Sequence, residues 1–322
     1  MLNPSSRRAN PANSAYFLLF LAILFWSGNT IVGRAVNTQI PPVGLAFWRW
    51  FCSFVLILLP SWRYLKQDWP QLLRHWRMVL LLSALGVASF NTLLYTALRS
   101  TTAINSLLIQ TLMPMAIVVI SYLLFHETLS IGQGIGIAVS FIGAIAIVAQ
   151  GDWHTLATLS FNQGDLLILI AVLCYAGYSC LLRLRPVLHP LSFLCSTFGL
   201  GSAMLLPLYL GEHLAGQPMP LNALTFLAVG YAAIFPSILA YFCYNRGVEL
   251  VGANKAGLFL NLMPVVGSVM AILFLKERFQ GFHSVGFILI LLGLLLAIAT
   301  PNTLNVASCE DRGHLVNHHP IG

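Results

Sequence analysis

Charged side chains are scarce in this sequence. Only 8% of its 322 residues are Asp, Glu, Lys or Arg, whereas 58% are hydrophobic, and the mean hydropathy is +0.83. A water-soluble domain carries roughly a quarter charged residues. Most of the molecular surface is therefore expected to face lipid, which excludes an ordinary soluble domain.

The sequence also lacks the residue clusters that catalysis or metal binding requires. Its six cysteines are scattered without a CxxC pair, and no cluster of His, Asp or Cys marks a membrane interface. We therefore expect no catalytic residues, no metal site and no cofactor, and we do not expect an enzyme. The net charge of +7 is not gathered into a basic run with interleaved aromatics, so nucleic acid is not an expected partner.

Long apolar stretches occupy nearly the whole chain, separated by short connections that contain proline. Ten stretches are long enough to cross about 30 Å of hydrocarbon as helices. We therefore predict an all-α integral membrane protein with ten transmembrane helices. Their centres lie near residues 25, 53, 88, 114, 141, 174, 201, 234, 264 and 291.

Lys and Arg are divided unequally between the two sides of this topology. If the N-terminus is cytoplasmic, the inside segments contain Arg7, Arg8, Arg63, Lys66, Arg74, Arg77, Arg183, Arg185, Arg246 and Arg312. The outside segments then contain Arg34, Arg99, Lys276 and Arg278. This bias follows the positive-inside rule. We expect a multi-pass protein of the bacterial cytoplasmic (inner) membrane with both termini in the cytoplasm.

The chain contains an internal repeat. A shift of 150 residues aligns Leu112-Met113-Pro114, Glu127, Gly136 and Gly143 with Leu262-Met263-Pro264, Glu277, Gly286 and Gly293. A shift of 149 residues aligns Trp26, Asn29 and Tyr95 with Tyr175, Tyr178 and Tyr244. Because each copy has five helices, an odd number, the second copy enters the membrane from the opposite side, as in the inverted repeats of secondary transporters.

This repeat predicts the domain organisation. The two inverted five-helix repeats are expected over residues 15–149 and 164–300. A cytoplasmic N-terminal segment, residues 1–14, precedes them, and a disordered C-terminal tail, residues 301–322, follows.

The repeated motifs resemble those of a known family. They are Tyr95-Thr96-Ala97-Leu98, Leu112-Met113-Pro114, Glu127-Thr128-Leu129, Gly136 and Gly143, with a second copy from Tyr244 to Gly293. They resemble the signature of the EamA branch of the drug/metabolite transporter superfamily. The resemblance implies ten helices, a central cavity between the halves and export of small metabolites, commonly amino acids or related compounds. The first helix lacks the glutamate of the superfamily's small multidrug exporters, which disfavours their cation/proton exchange.

Polar side chains within the apolar spans are candidate ligands. Arg49 lies about 10 Å below the outer surface, where it either pairs with a substrate carboxylate or has a structural role. Uncharged polar residues spaced i, i+3 or i, i+4 share helix faces in both halves. These faces either hydrogen-bond between helices or line a wet cavity. The candidate substrate ligands are Trp26, Asn29, Arg49, Asn91, Tyr95, Gln110, Tyr175, Tyr178, Tyr241 and Tyr244.

Several other residues carry local expectations. Pro114 and Pro264 are placed in helix interiors at matching positions, where they act as hinges or as passive kinks. Asp165 is expected to cap a helix, and Glu127 to serve as a turn or gate residue. Gly132 and Gly136 in the fifth helix, with Gly286 and Gly293 in the tenth, permit close helix packing within the bundle or dimerisation.

Together these features predict a secondary transporter that exports a small amphipathic or aromatic metabolite by alternating access. Its expected partners are the small-molecule substrate and the lipid bilayer, and it is expected to be a monomer or a homodimer. A passive facilitator or channel is the alternative function, and a membrane-embedded enzyme is less favoured. Proton coupling and facilitated diffusion both stay open, because no carboxylate lies deep in a span.

Overall fold

The computed structural model describes residues 11–36, 39–101, 106, 109–149, 151–152, 154, 157, 162–275 and 280–299. Helices dominate these residues, and the described part of the chain contains no strand. The all-α prediction is confirmed to that extent. Most of the N-terminal segment 1–14, and the whole tail 301–322 that we predict to be disordered, lie outside the described residues.

The helices follow one another with short connections. Their bounds are α1 Pro11–Val36, α2 Pro42–Arg74, α3 Trp76–Ala97, α4 Met113–Phe125, α5 Ile131–Val148, α6 Gln163–Leu184, α7 Pro190–Leu214, α8 Ala223–Val251 and α10 Gly281–Ala299. The α9 segment is interrupted and consists of α-helix Ala253–Leu258, 3₁₀-helix Phe259–Leu262 and α-helix Met263–Leu275.

Eight of these helices are long and apolar enough to cross a membrane, namely α1, α2, α3, α5, α6, α7, α8 and α10. The other two are broken at matching places. A turn at Thr111 and Leu112 precedes α4, which has 13 residues, and the 3₁₀ segment divides α9. A multi-pass all-α membrane protein is therefore supported, while ten complete spans stay a prediction.

The prolines of these two helices are not in helix interiors, so that expectation is wrong. Pro114 is the second residue of α4, and Pro264 is the second residue of the last part of α9. The first N–H groups of a helix have no intrahelical partner, so proline removes no hydrogen bond there. Each proline instead follows directly on a break in its span. The hinge role of both residues stays a prediction.

The two halves pack through equivalent helix pairs. The α2 helix packs along α7, and α5 packs along α10. The α1 helix contacts α8 and α9, just as α6 contacts α3 and α4. Helices whose numbers differ by five are equivalent in the two repeats. Replacing each helix by its equivalent turns the contacts of α1 into those of α6 and leaves the α2–α7 and α5–α10 pairs unchanged. Two related repeats would produce this arrangement, and their inverted orientation stays a prediction.

Glycines bring α5 and α10 into close contact. A Cβ atom on Gly136 would lie 2.5 Å from the carbonyl oxygen of Gly293, and one on Gly143 would lie 2.9 Å from that of Gly286. Beside them, Ser140 Oγ donates a hydrogen bond of 3.2 Å to the carbonyl of Ile290. Of the two roles predicted for these glycines, the structure shows packing within the bundle.

This contact predicts a difference between two glycines of the same helix. Gly136→Ala should destabilise the protein by about 1–3 kcal/mol, because the added methyl group overpacks the contact with α10. Gly134→Ala is the matched control, since open space surrounds that position. Both variants are heated in detergent, and size-exclusion chromatography of the heated samples gives the midpoint of thermal unfolding. Equal midpoints would contradict the packing role.

Candidate functional site

Arg49 is buried in the first third of α2, with a relative exposure of 1%. Its Nε donates a hydrogen bond of 3.0 Å to Ser237 Oγ. Its Nη1 donates to Asn91 Oδ1 at 3.0 Å and to Tyr95 Oη at 3.1 Å. The guanidinium carbon lies 4.6 Å from the ring centroid of Trp50. All these partners are neutral, so they bind Nε and Nη1 of Arg49 without neutralising its charge.

The partners of Arg49 come from several helices. Asn91 and Tyr95 share one face of α3, as their i, i+4 spacing predicts. Asn29 of α1 donates a hydrogen bond of 3.3 Å to Tyr95 Oη. Ser237 belongs to α8, which is in the second half of the chain. The guanidinium therefore holds helices of both halves together.

Two π-helical turns shape the centre of the bundle, one in α3 over Ala84–Ser89 and one in α8 over Ala233–Leu239. They start at equivalent positions of the two repeats. Such turns interrupt the regular helical hydrogen bonding and often mark functional sites. The Tyr241 hydroxyl of α8 donates to the carbonyl of Gly86 in α3, and Trp26 Nε1 of α1 donates to the carbonyl of Pro236 in α8 at 2.9 Å. The turns thus fix two of the predicted ligand rings.

A central cavity of about 70 Å³ lies beside Arg49. Space of this size holds several water molecules or part of a small organic molecule. Helices of both halves contribute to its wall. Seven of the ten predicted ligands line it, namely Trp26, Asn29, Arg49, Asn91, Gln110, Tyr175 and Tyr241. Whether they bind a substrate stays a prediction.

The other three predicted ligands are absent from this lining. Tyr95 lies behind it and bonds to Arg49, so it positions the guanidinium. Tyr178 and Tyr244 form a neighbouring layer: Tyr178 Oη donates to Asn245 Oδ1 at 2.8 Å, and Tyr244 Oη lies 3.0 Å from Ser179 Oγ.

Sequence reasoning missed part of the cavity wall. The missed lining residues are Phe90, Leu94, Thr111, Met113, Leu260 and Met263. Most are apolar, and in the sequence they look like any other core or lipid-facing side chain. Pro264, predicted only as a hinge, also lines the cavity. For the π-helical turn in α8, the one signal in the sequence is Pro236 within an apolar span. The equivalent turn in α3 has no such signal, because α3 contains no proline.

The wall is aromatic and contains an unused donor. The ring centroid of Tyr175 lies 5.7 Å from that of Trp26 and 5.1 Å from that of Phe90. Tyr241 packs edge-on against Trp26 at 5.9 Å. The Tyr175 hydroxyl is buried and has no hydrogen-bond partner among the described residues. A buried hydroxyl without a partner is destabilising, so this donor is suited to a bound molecule.

A second, larger cavity of about 430 Å³ opens beyond the Tyr178 layer. We call it the vestibule, and Glu127, Arg183, Arg185, Asn245 and Glu249 are among its lining residues. Asn245 belongs to this vestibule, whereas the Tyr178 ring packs 5.5 Å from Tyr175 of the central cavity. The Tyr178–Asn245 hydrogen bond therefore lies between the two spaces.

Acidic residues stand at the ends of the bundle. Glu127 accepts hydrogen bonds from Arg183, from Ser121 at 2.6 Å and from Asn254 at 3.3 Å, so it joins α4, α6 and α9. This agrees with the predicted turn or gate position. Asp165 forms a capping box with Asn162 at the start of α6, and its predicted role as a cap is confirmed.

The chain is similar to known proteins over nearly its whole length. A family model described as the EamA-like transporter family matches residues 13–149 and 162–299. The uncharacterized transporter YyaM of Bacillus subtilis (strain 168) is 28% identical, over 87% of this chain and 92% of that protein. The uncharacterized transporter YetK of the same organism is 26% identical, over 88% and 86%.

A solved crystal structure shares the fold, with a TM-score of 0.73 and 18% identity, over 88% of this chain and 96% of the other. The family model covers both halves of the chain and all the helices that build the cavity. On this basis the protein belongs to the EamA-like transporter family.

Proposed function

We propose that this protein is a secondary transporter that exports a small metabolite with a carboxylate group by alternating access. Membership of a transporter family establishes transport as the general activity. The observation that carries the finer proposal is Arg49, a buried cation beside the central cavity whose hydrogen-bond partners are all neutral.

The charge of Arg49 favours an anionic group in the cavity. A cation in a low-dielectric interior is destabilised unless an opposite charge lies close to it. A substrate carboxylate provides that charge, and Arg suits its planar geometry. A phosphate ester would call for several Lys or Arg residues, whereas Arg49 is the single basic side chain in the described lining. We therefore favour a monoanion or a zwitterion.

The rest of the wall favours an aromatic or amphipathic body. Trp26, Phe90, Tyr175 and Tyr241 offer ring faces and edges, which pack well against planar apolar groups. The unpaired Tyr175 hydroxyl offers a donor to a second polar group of the substrate. Amino acids and related aromatic compounds combine these features, and the cavity volume of about 70 Å³ favours small ones.

Alternating access draws support from the repeat organisation. Equivalent helix pairs in the two halves can exchange roles between two states of similar energy. The Tyr178–Asn245 layer separates the cavity from the vestibule, which the distribution of Lys and Arg assigns to the cytoplasmic side. The breaks before Pro114 and Pro264 adjoin the cavity and are the proposed hinges. The inner membrane, cytoplasmic termini and export direction are parts of this proposal.

A passive facilitator is the second candidate. The observation in its favour is that no Asp or Glu lines the described cavity, so the site holds no side chain suited to carry a coupling proton. Both candidates use the same cavity. They differ in how the carrier returns to its starting access state after it has released the substrate.

The first test is counterflow in proteoliposomes. The panel contains aromatic and aliphatic amino acids, phenylacetate, benzoate and the neutral compound phenylacetamide. Each unlabelled compound is loaded inside, and uptake of its labelled form is followed without an ion gradient. We expect saturable accumulation of at least one carboxylate compound and none of phenylacetamide. Absence of counterflow across the panel, with and without an imposed pH gradient, would contradict the proposal.

Arg49→Gln should reduce the apparent affinity for the transported carboxylate at least about tenfold, because the charge-assisted hydrogen bonds are lost. It should also remove the discrimination between phenylacetate and phenylacetamide. Arg77→Gln makes the same change at an exposed position and serves as the control. Thermal stability of both variants is measured in parallel. Retained discrimination in a folded Arg49→Gln variant would contradict the ligand role and leave Arg49 a structural role alone.

Two tyrosines in adjacent layers give a matched pair. Tyr175→Phe removes an unpaired hydroxyl, so stability should not fall, while apparent affinity drops several-fold through loss of a donor to the substrate. Tyr178→Phe breaks the hydrogen bond to Asn245 and should destabilise the protein by about 1 kcal/mol. Unfolding midpoints and uptake kinetics are compared for both. The role of Tyr175 as a donor to the substrate is wrong if Tyr175→Phe transports with unchanged apparent affinity.

A further inference from the structure

We infer that this protein is an obligate exchanger, whose cavity passes between its two access states only with a carboxylate compound bound. Each substrate molecule that leaves is then matched by one that enters. The inference rests on the proposed function, because it concerns the same cavity, and it specifies how the carrier returns after releasing its substrate.

Arg49 keeps its positive charge throughout the transport cycle. An arginine side chain does not lose its proton in proteins, unlike lysine or histidine. The carrier therefore cannot remove the charge by deprotonation when the cavity closes. The three hydrogen bonds to Ser237, Asn91 and Tyr95 stabilise the guanidinium but bring no negative charge to it.

Within the spans, the chain has no carboxylate that could pair with Arg49. No Asp or Glu occurs in residues 1–67, 69–126, 166–211, 213–248 or 250–276, which contain every residue of the cavity lining. Five described carboxylates are engaged elsewhere: Asp68 with His189 N, Glu127 with Arg183, Asp165 with Asn162 N, Glu212 with Gly44 N and Glu249 with Arg185. Neutralisation of Arg49 must therefore come from a bound molecule.

Alternating access requires closure of the cavity on both sides, so that during the passage the cavity has no contact with bulk water. The Arg49 side chain is buried in this structure, at 1% exposure. An uncompensated cation in that closed interior is strongly destabilised, and pairing it with a carboxylate offsets a large part of this cost. The loaded carrier therefore crosses quickly and the unloaded carrier slowly. A channel or an uncoupled facilitator has no such dependence on the opposite side.

The test compares exchange with net efflux in the same proteoliposomes. They are loaded with labelled phenylacetate or labelled L-phenylalanine, whichever gives counterflow. The membrane potential is clamped at zero with potassium and valinomycin, and gluconate is the bulk anion on both sides. Efflux is followed with and without the same unlabelled compound outside. We expect efflux to be about 100-fold faster with the outside compound.

Variants of Arg49 test the cause. Arg49→Gln removes the fixed charge, so the ratio of exchange to net efflux should fall towards one. In Arg49→Lys the charge can be lost by deprotonation when the cavity closes, so its ratio should fall below that of the unmodified protein. Arg77→Gln should match the unmodified protein. If Arg49→Gln does not fold, the ratio of the unmodified protein still decides.

The outcomes separate the two proposals. Equal efflux with and without the outside compound would overturn obligate exchange and leave the transport function standing. A large ratio that persists unchanged in a folded Arg49→Gln variant would overturn the electrostatic cause. Absence of efflux under both conditions would contradict the proposed function, and the inference that rests on it would fall with it.

Discussion

The burial of the Arg49 charge constrains the rest of this structure. Its donors need partners in the interior of the bundle, and an unsatisfied guanidinium there would be strongly destabilising. The partners are Asn91 and Tyr95 on α3 and Ser237 on α8. Two helices from different halves of the chain are thereby held at fixed distances from α2, and the central cavity lies where they meet.

The π-helical turns and the acidic residues complement this arrangement. The turn in α8 presents Ser237 to Arg49 and the Pro236 carbonyl to Trp26. Asp68 and Glu212 instead bind the N-terminal ends of helices, where exposed N–H groups favour carboxylates. Asp68 near the end of α2 accepts from the first turn region of α7, and Glu212 near the end of α7 accepts from the first turn of α2. This reciprocal pairing keeps negative charge away from the cavity.

Helical periodicity predicted which polar residues share a face, and the structure agrees for Asn91 with Tyr95. It did not predict Ser237, because that contact with Arg49 spans 188 residues of sequence. The prediction that Pro114 and Pro264 lie in helix interiors is also wrong, since each is the second residue of its helical segment. Hydropathy registers a continuous apolar span, whereas the break before each proline depends on local backbone geometry that hydropathy does not encode.

The sequence by itself determined the membrane environment, the helical class, the duplication and the absence of carboxylates from the spans, because composition and periodicity carry these properties directly. Only the tertiary structure decided which polar residues meet. It separated Tyr175 and Tyr241, which line the cavity, from Tyr178 and Tyr244 in the adjoining layer. Residues with the same spacing on their helices differ in surroundings, because helix rotation and two local π-turns determine where each side chain lies.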